Sequence, residues 1–341
     1  MKEIGGFLEF KTGFFNKNNG IRSGFTYFIS GREALRYLVS NLGITILYLP
    51  SYFCNDVQEY LQNILHLEIK TYSVDDQFRV ITSTLKTVQI AKGDKVGLLM
   101  VDFFGRRDPK YNLILQNLKK KGVVVLTDRT HSVLNTYPSS SIAEFASVRK
   151  LLINLPGAYI KGNEYKGGYR KLHLDSSLAL LDLKDKYLKN GDLRLKNRFL
   201  KEYLHQEKRY PRFPKILRAV EPSGLENILR KANLNKMRKI RQRNYQALEQ
   251  AFVSTPQVKW YHLQYRKNEA PAFALVKCSN YKTREKLKAY LIKNAIYPPI
   301  HWNNGTNLSR LLLSIPIDHR YSPKEMLFVA SVINNCKLAK L

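Results

Sequence analysis

VGLLMVDFFGRRDPKYNLILQNLKKKGVVVLTD, residues 96 to 128, begins and ends in short apolar runs rich in valine and leucine. Runs of this kind, too short for a helix and bounded by glycine or charge, mark strands buried on both faces. Between them Asp108 is placed to cap a helix, with Pro109 at its first position and Gly122 closing it. Strand, helix and strand within about thirty residues make a βαβ unit. A third run, ITILYLP at 44–50, repeats the pattern upstream. The fold class that follows is α/β, a mainly parallel sheet wound with helices. Such sheets gather ligands at the carboxyl ends of their strands. Asp128 stands just past one such end, and the loop from Ser51 to Cys54 past another.

The rest of the chain supports a folded protein with two parts. Hydrophobic residues make up 44% of 341, enough for a substantial core, so disorder is not expected. From about residue 254 the pattern shifts to VKWYHL and PAFALVKC as strands, TREKLKAYLIKNA as a helix, LSRLLLSIPI as a buried turn, and a final helix beginning near Ser322 and Pro323. We divide the chain into a large α/β domain over 1–235 and a small C-terminal α+β domain over 236–341. Residues 160–220 resist parsing, apart from the helical LDSSLALLDLKDKYLKN.

Three cysteines, Cys54, Cys278 and Cys336, are widely spaced and odd in number, which supports neither a disulfide framework nor a zinc site. No signal-type h-region and no run of membrane-spanning length is present, so a cytoplasmic location is expected. The 57 Lys and Arg against 27 Asp and Glu give a formal charge of +30. This suits a phosphorylated substrate or another polyanion, or is a solvated surface. The densest basic stretch, NLNKMRKIRQRNYQALEQAF, places Leu234, Met237, Ile240, Tyr245, Leu248 and Phe252 near helical spacing. Its basic residues then form the outer face of a packed helix. No nucleic-acid signature accompanies them.

Two local motifs carry possible chemistry. Ser30-Gly31-Arg32-Glu33 before ALRYLVSNLG is a capping-box pattern, and the same helix start, with glycine allowing close approach, can hold a phosphate. FASVRKLLINLPGAYI, residues 145 to 160, sets Lys150 between apolar runs. A lysine there is either a snorkelling core-edge residue or an amine whose lowered pKa makes it a nucleophile.

Taken in order, SGREAL (30–35), PSYFC (50–54), DRTHS (128–132) and FASVRK (145–150), with WNNG (302–305) and LLLSIPIDHRY (311–321), resemble the DegT/StrS-like sugar aminotransferases. These are fold type I pyridoxal-phosphate enzymes. The likeness covers about residues 25–160 and 220–335, and the chain departs from the family at Gly31-Arg32, where Gly-Thr is usual, and at Gly157-Ala158, where Gly-Gly is usual. The resemblance implies pyridoxal 5'-phosphate as cofactor. Lys150 would hold its aldehyde and serve as the catalytic residue, and Asp128 would keep the ring nitrogen protonated. Gly31, Arg32, Glu33 and Ser147 would cradle the phosphate. His131 would lie near the ring hydroxyl, with Tyr52 or Phe53 on the ring face.

It further implies a homodimer acting on an amino donor and a keto sugar, with His301, Trp302 and Arg320 of the tail as candidate substrate contacts. Arg149, beside Lys150, would favour the neutral amine. Two other readings stay open at this point: a degenerate member that binds or regulates without transamination, and a basic nucleic-acid-binding protein.

Overall fold

The three apolar runs form strands at Ile46–Pro50, Val96–Val101 and Val124–Asp128, paired in parallel. The computed structural model describes residues 3–6, 8, 11–17, 20–21, 24–136, 141–162, 165–172, 174–209, 216–302 and 305–337. In chain order the first elements are β1 (Ile4–Gly5), β2 (Thr26–Phe28), α1 (Gly31–Asn41), β3 (Ile46–Pro50), α2 (Asn55–Leu65), β4 (Glu68–Tyr72), β5 (Val96–Val101), α3 (Tyr111–Lys120), β6 (Val124–Asp128), β7 (Ala143–Ser147) and β8 (Ala158–Lys161). They are followed by β9 (Tyr169–Arg170), α4 (Asp175–Asn190), α5 (Leu193–Arg209), β10 (Ala219–Val220), α6 (Pro222–Arg230) and α7 (Leu234–Ala251). The tail holds β11 (Val258–Trp260), β12 (Ala274–Cys278), α8 (Tyr281–Lys293), β13 (Ile296–Tyr297), α9 (Asn307–Leu311), β14 (Leu312–Ile315) and α10 (Pro323–Asn334).

The large sheet has the order β4-β3-β5-β6-β7-β8-β2-β10-β9. Its half from β4 to β7 is parallel. Strand alternation sends successive side chains to opposite faces. Leu47, Leu49, Leu99 and Leu126 share one core with Leu35 and Leu38 of α1, while Ile46, Tyr48, Leu98 and Val125 share another with Ile114, Leu115 and Leu118 of α3. Each such side chain contributes roughly 1.5–3 kcal/mol on burial. Both faces of these strands therefore need helical cover, which is why the runs read as continuous apolar stretches.

Two local expectations are corrected. Helix α3 begins at Tyr111 with Lys110 as its cap residue, not at Asp108. The Asp108 carboxylate is spent elsewhere, accepting the N–H of Lys110 and the N–H of Val80, each at 2.7 Å. LSRLLLSIPI is not a turn but short helix α9 running into edge strand β14, which pairs antiparallel with β12. The segment 160–220 supplies the antiparallel side of the sheet, where β8 pairs with β7 and β2, and β2 with β10. It also folds into the hairpin α4/α5, closed by Leu180, Leu183, Tyr187 and Phe199.

The small sheet β11-β12-β14 has its own core, in which Val258, Val276 and Leu313 pack with Leu287, Met326 and Val329. Ile4 joins that core because β1 pairs in parallel with β13 of the tail. Helix α7 links the two cores: Met237 is buried with Val148 and Leu229, whereas Tyr245 and Leu248 belong to the second core. Its basic face is not all exposed as the sequence suggested. Arg241 is 1% exposed and donates to the carbonyls of Ala272 (2.8 Å) and Leu151 (3.3 Å). Asn244 donates to those of Ile317, Asp318 and Tyr321.

Candidate active site

The carboxyl ends of β6 and β7 and the start of α1 meet around a cleft of about 300 Å³. Asp128 is the last residue of β6, and its Oδ1 accepts the N–H of Thr130 at 2.8 Å. Thr130 in turn accepts the N–H of Ser147, the last residue of β7, on its Oγ1 at 3.1 Å. After Ser147 the chain makes a single tight turn, Val148–Lys150. Val148, Leu151 and Leu152 are buried on either side of Arg149 and Lys150, so these two charges stand out in a clamped apolar loop. Gly31 closes the other wall, since a Cβ there would stand 3.4 Å from the Cβ of Ser147. Ser30 caps α1 by accepting the N–H of Glu33, and the first-turn N–H groups of Gly31 and Arg32 have no partner within the helix.

Lys150, Asp128, His131, Ser147, Gly31, Arg32, Phe53 and Trp302 all line this cleft. Lys150 keeps exposed surface toward it but is otherwise ringed by protein. That surrounding mass lowers the pKa of its ammonium, and the Arg149 guanidinium lowers it further. Burial raises the Asp128 carboxyl to about 6, opposed by hydrogen bonds from Thr130, and no ion pair among the described residues includes it. His131 is pushed down to about 3 by burial and the nearby cation Lys150, so its ring is neutral. The Nδ1 of His131 is buried with no hydrogen-bond partner among the described residues. The His131 ring lies parallel to Trp302, with planes 3° apart and centroids 5.6 Å apart.

Four expected site residues are placed otherwise. Glu33 turns away from the helix start and pairs with Arg170, completing no capping box and lining no part of the cleft. A carboxylate would repel a phosphate there, and a guanidinium is available across the sheet. Tyr52 is 1% exposed and packs among Phe78, Phe103, Phe104 and Trp302 instead of covering the cleft. Arg320 is held by Asp318, at 2.6 Å from Nε to Oδ1 and 2.9 Å from Nη2 to Oδ2. His301 shares a hydrogen bond with Ser314 at 2.8 Å. Both line a second chamber that borders Lys150 from the other side. Asn303 and Asn304 of the WNNG motif lie outside the described residues.

Sequence reasoning missed Thr130, although the Asp-x-Thr spacing is itself a turn signal in which a carboxylate accepts an N–H two residues on. It also missed Arg241, whose burial no periodicity could reveal.

The donor set suits a phosphorylated pyridine aldehyde. It offers an amine biased toward neutrality, a carboxylate in no ion pair among the described residues, an imidazole nitrogen with no hydrogen-bond partner among them, and a helix start flanked by Ser147 and Arg32. No family profile matches the sequence, and no curated protein matches it. Solved structures do. An aminotransferase of the DegT/DnrJ/EryC1/StrS type from Brucella abortus is 17% identical over 92% of this chain and 85% of its own, with a TM-score of 0.59. Helicobacter pylori PseC, an aminotransferase involved in the biosynthesis of pseudoaminic acid, is 11% identical over 94% and 88%, with a TM-score of 0.64. A Streptococcus pneumoniae protein described as a sugar aminotransferase, solved in its PLP form, is 11% identical over 96% and 92%, at 0.61. The chain therefore has the α/β fold of the fold type I PLP aminotransferases, in the form seen in sugar aminotransferases.

Proposed function

We propose that the chain is a divergent DegT/StrS-type, pyridoxal-phosphate-dependent aminotransferase that moves an amino group from an amino acid to a keto sugar. The reading is carried by one observation: the Lys150 amine and the Asp128 carboxylate face the same cleft at the start of α1. We further assign the keto substrate to nucleotide-linked sugars of surface-polysaccharide synthesis, and the working form to a cytoplasmic homodimer. The formal charge of +30 favours a diphosphate-bearing substrate.

Pyridoxal phosphate, when bound, supplies an aldehyde for an amine to hold and a ring that takes up an electron pair from the adjoining carbon. The chain supplies the remainder. Lys150 Nζ, whose pKa burial and then Arg149 lower, would hold the aldehyde and would be the base that accepts and returns a proton. Asp128 would pair with the protonated ring nitrogen. Ser147, Gly31 and Arg32 bind the phosphate at the positive end of α1. His131, with its neutral ring, would face the ring hydroxyl, and Phe53 and Trp302 would exclude water from the cleft.

Borohydride reduction followed by peptide mass spectrometry tests the assignment. The cofactor should be fixed to Lys150, and Lys150→Ala should abolish both the label and the yellow absorbance. A label on another lysine, or a colourless protein after cofactor addition, would overturn it. Full labelling without amino transfer to any keto substrate would instead identify a binding or regulatory protein.

A further inference from the structure

Away from the cleft, an open groove of about 950 Å³ runs between α7 and the loop that joins β11 to β12. Lys239, Gln242, Arg243 and Gln246 stand on its α7 side, at the spacing that puts them on a single helix face. Arg266 and Lys267 stand on the loop side. Gln242 Nε2 donates to the carbonyls of Glu269 (2.7 Å) and Lys267 (3.3 Å), which ties the loop to the helix and fixes the spacing of the two rows of charge. Tyr245 and Tyr265, with ring centroids 5.4 Å apart, give the same groove an apolar part.

The charge of this groove is unbalanced. Lys239, Arg243, Arg266 and Lys267 enter no side-chain hydrogen bond or ion pair among the described residues. The one carboxylate that lines it, Glu249, is already held by His262 at 3.0 Å. Lys239 and Arg243, like charges four residues apart on a helix, repel each other, and the loop cations add to that field. A multiply charged anion relieves the repulsion on both sides, whereas a single carboxylate reaches only one row. Guanidinium forks match phosphate oxygens, and lysines act as point charges beside them. The volume lies at the upper end of ligand pockets and suits a nucleotide. From Lys239 to Glu249 the helix rises only about 15 Å, and the acid at that end opposes any continuation of a phosphate chain, which favours a short ligand over a polymer.

We infer that this groove binds the linked phosphates of a nucleoside diphosphate, with Lys239 and Arg243 on one side of them and Arg266 and Lys267 on the other. The groove shares no lining residue with the Lys150 cleft, and the inference stands apart from the aminotransferase reading.

Calorimetric titration of ADP into the purified protein tests it, at physiological salt so that the diffuse field of a +30 chain is screened. Wild type should bind ADP, and tripolyphosphate should displace it. Arg243→Glu should weaken binding by about tenfold or more, the loss expected for one charge-assisted hydrogen bond. Arg243 is exposed, so the variant should keep the wild-type melting temperature. Lys119→Glu, an equal change of charge at an exposed position of α3 outside the groove, should leave the affinity unchanged. Absence of ADP binding in wild type would overturn the inference, as would equal weakening in the two variants, which would assign the effect to net charge. ADP binding unchanged in Arg243→Glu would move the ligand to the start of α1 and overturn it too. So would a twelve-nucleotide single strand that binds more tightly than ADP and loses affinity in Arg243→Glu, by assigning the groove to nucleic acid. A protein that takes no label at Lys150 would lose the functional reading yet leave this binding test standing.

Discussion

The N–H of Thr130 donates to Oδ1 of Asp128 at 2.8 Å, an Asx turn that aims the carboxylate from the end of β6 into the cleft. The turn leaves Asp128 half-buried and in no ion pair among the described residues. Its pKa, raised from 3.8 to about 6, means that the cofactor-free native state binds this proton more tightly than the unfolded chain. The stability from that proton is present below about pH 4 and is lost as pH rises through 6. Asp128→Asn removes the dependence. The cofactor-free variant should match wild type near pH 4 and exceed it by at most about 3 kcal/mol at pH 8, as read from denaturant melts at each pH. Equal stabilities at pH 8 would mean that the carboxylate is well solvated.

Arg149 stands beside Lys150 and adds to the fall in its pKa that burial begins. Arg149→Met should raise the apparent pKa of Lys150, since it removes one nearby cation. The rate of trinitrobenzenesulfonate labelling at Lys150, followed by peptide mapping across pH, reports this directly. An unchanged profile would leave burial as the sole cause.

The pairing of Glu33 with Arg170 joins the first turn of α1 to β9, across 137 residues of sequence. Glu33→Gln should cost about 1–3 kcal/mol, because Arg170 then loses its charged partner at a partly buried position. Cofactor absorbance should be retained once the variant is folded. Loss of the cofactor without loss of stability would return Glu33 to the binding site.

Tyr52 buries a hydroxyl with no hydrogen-bond partner among the described residues. Tyr52→Phe removes that oxygen and keeps the ring among Phe78, Phe103 and Phe104. Thermal unfolding should therefore show a gain of about 1 kcal/mol, with no change in cofactor affinity. A weaker cofactor affinity would place the hydroxyl at the site after all.

The sequence by itself determined the elements whose signal is local. Runs of apolar residues marked β3, β5 and β6 because a strand covered on both faces needs apolar side chains at every position. Ser30 marked a helix start because its hydroxyl caps an N–H three residues away, and Asp128 and Lys150 were legible from their positions at a strand end and in an apolar loop. Tertiary structure alone decided the rest. Glu33 meets Arg170, Ile4 pairs with Ile296, and Trp302 comes to lie parallel to His131, each across more than a hundred residues. Arg241 carries the same lesson, since on a helix of basic residues nothing in the periodicity separates a solvated arginine from one held between two carbonyls. Periodicity reports which face of an element is covered. It cannot report by what, because the energy of a buried charge depends on partners that the fold, and not the chain order, brings near.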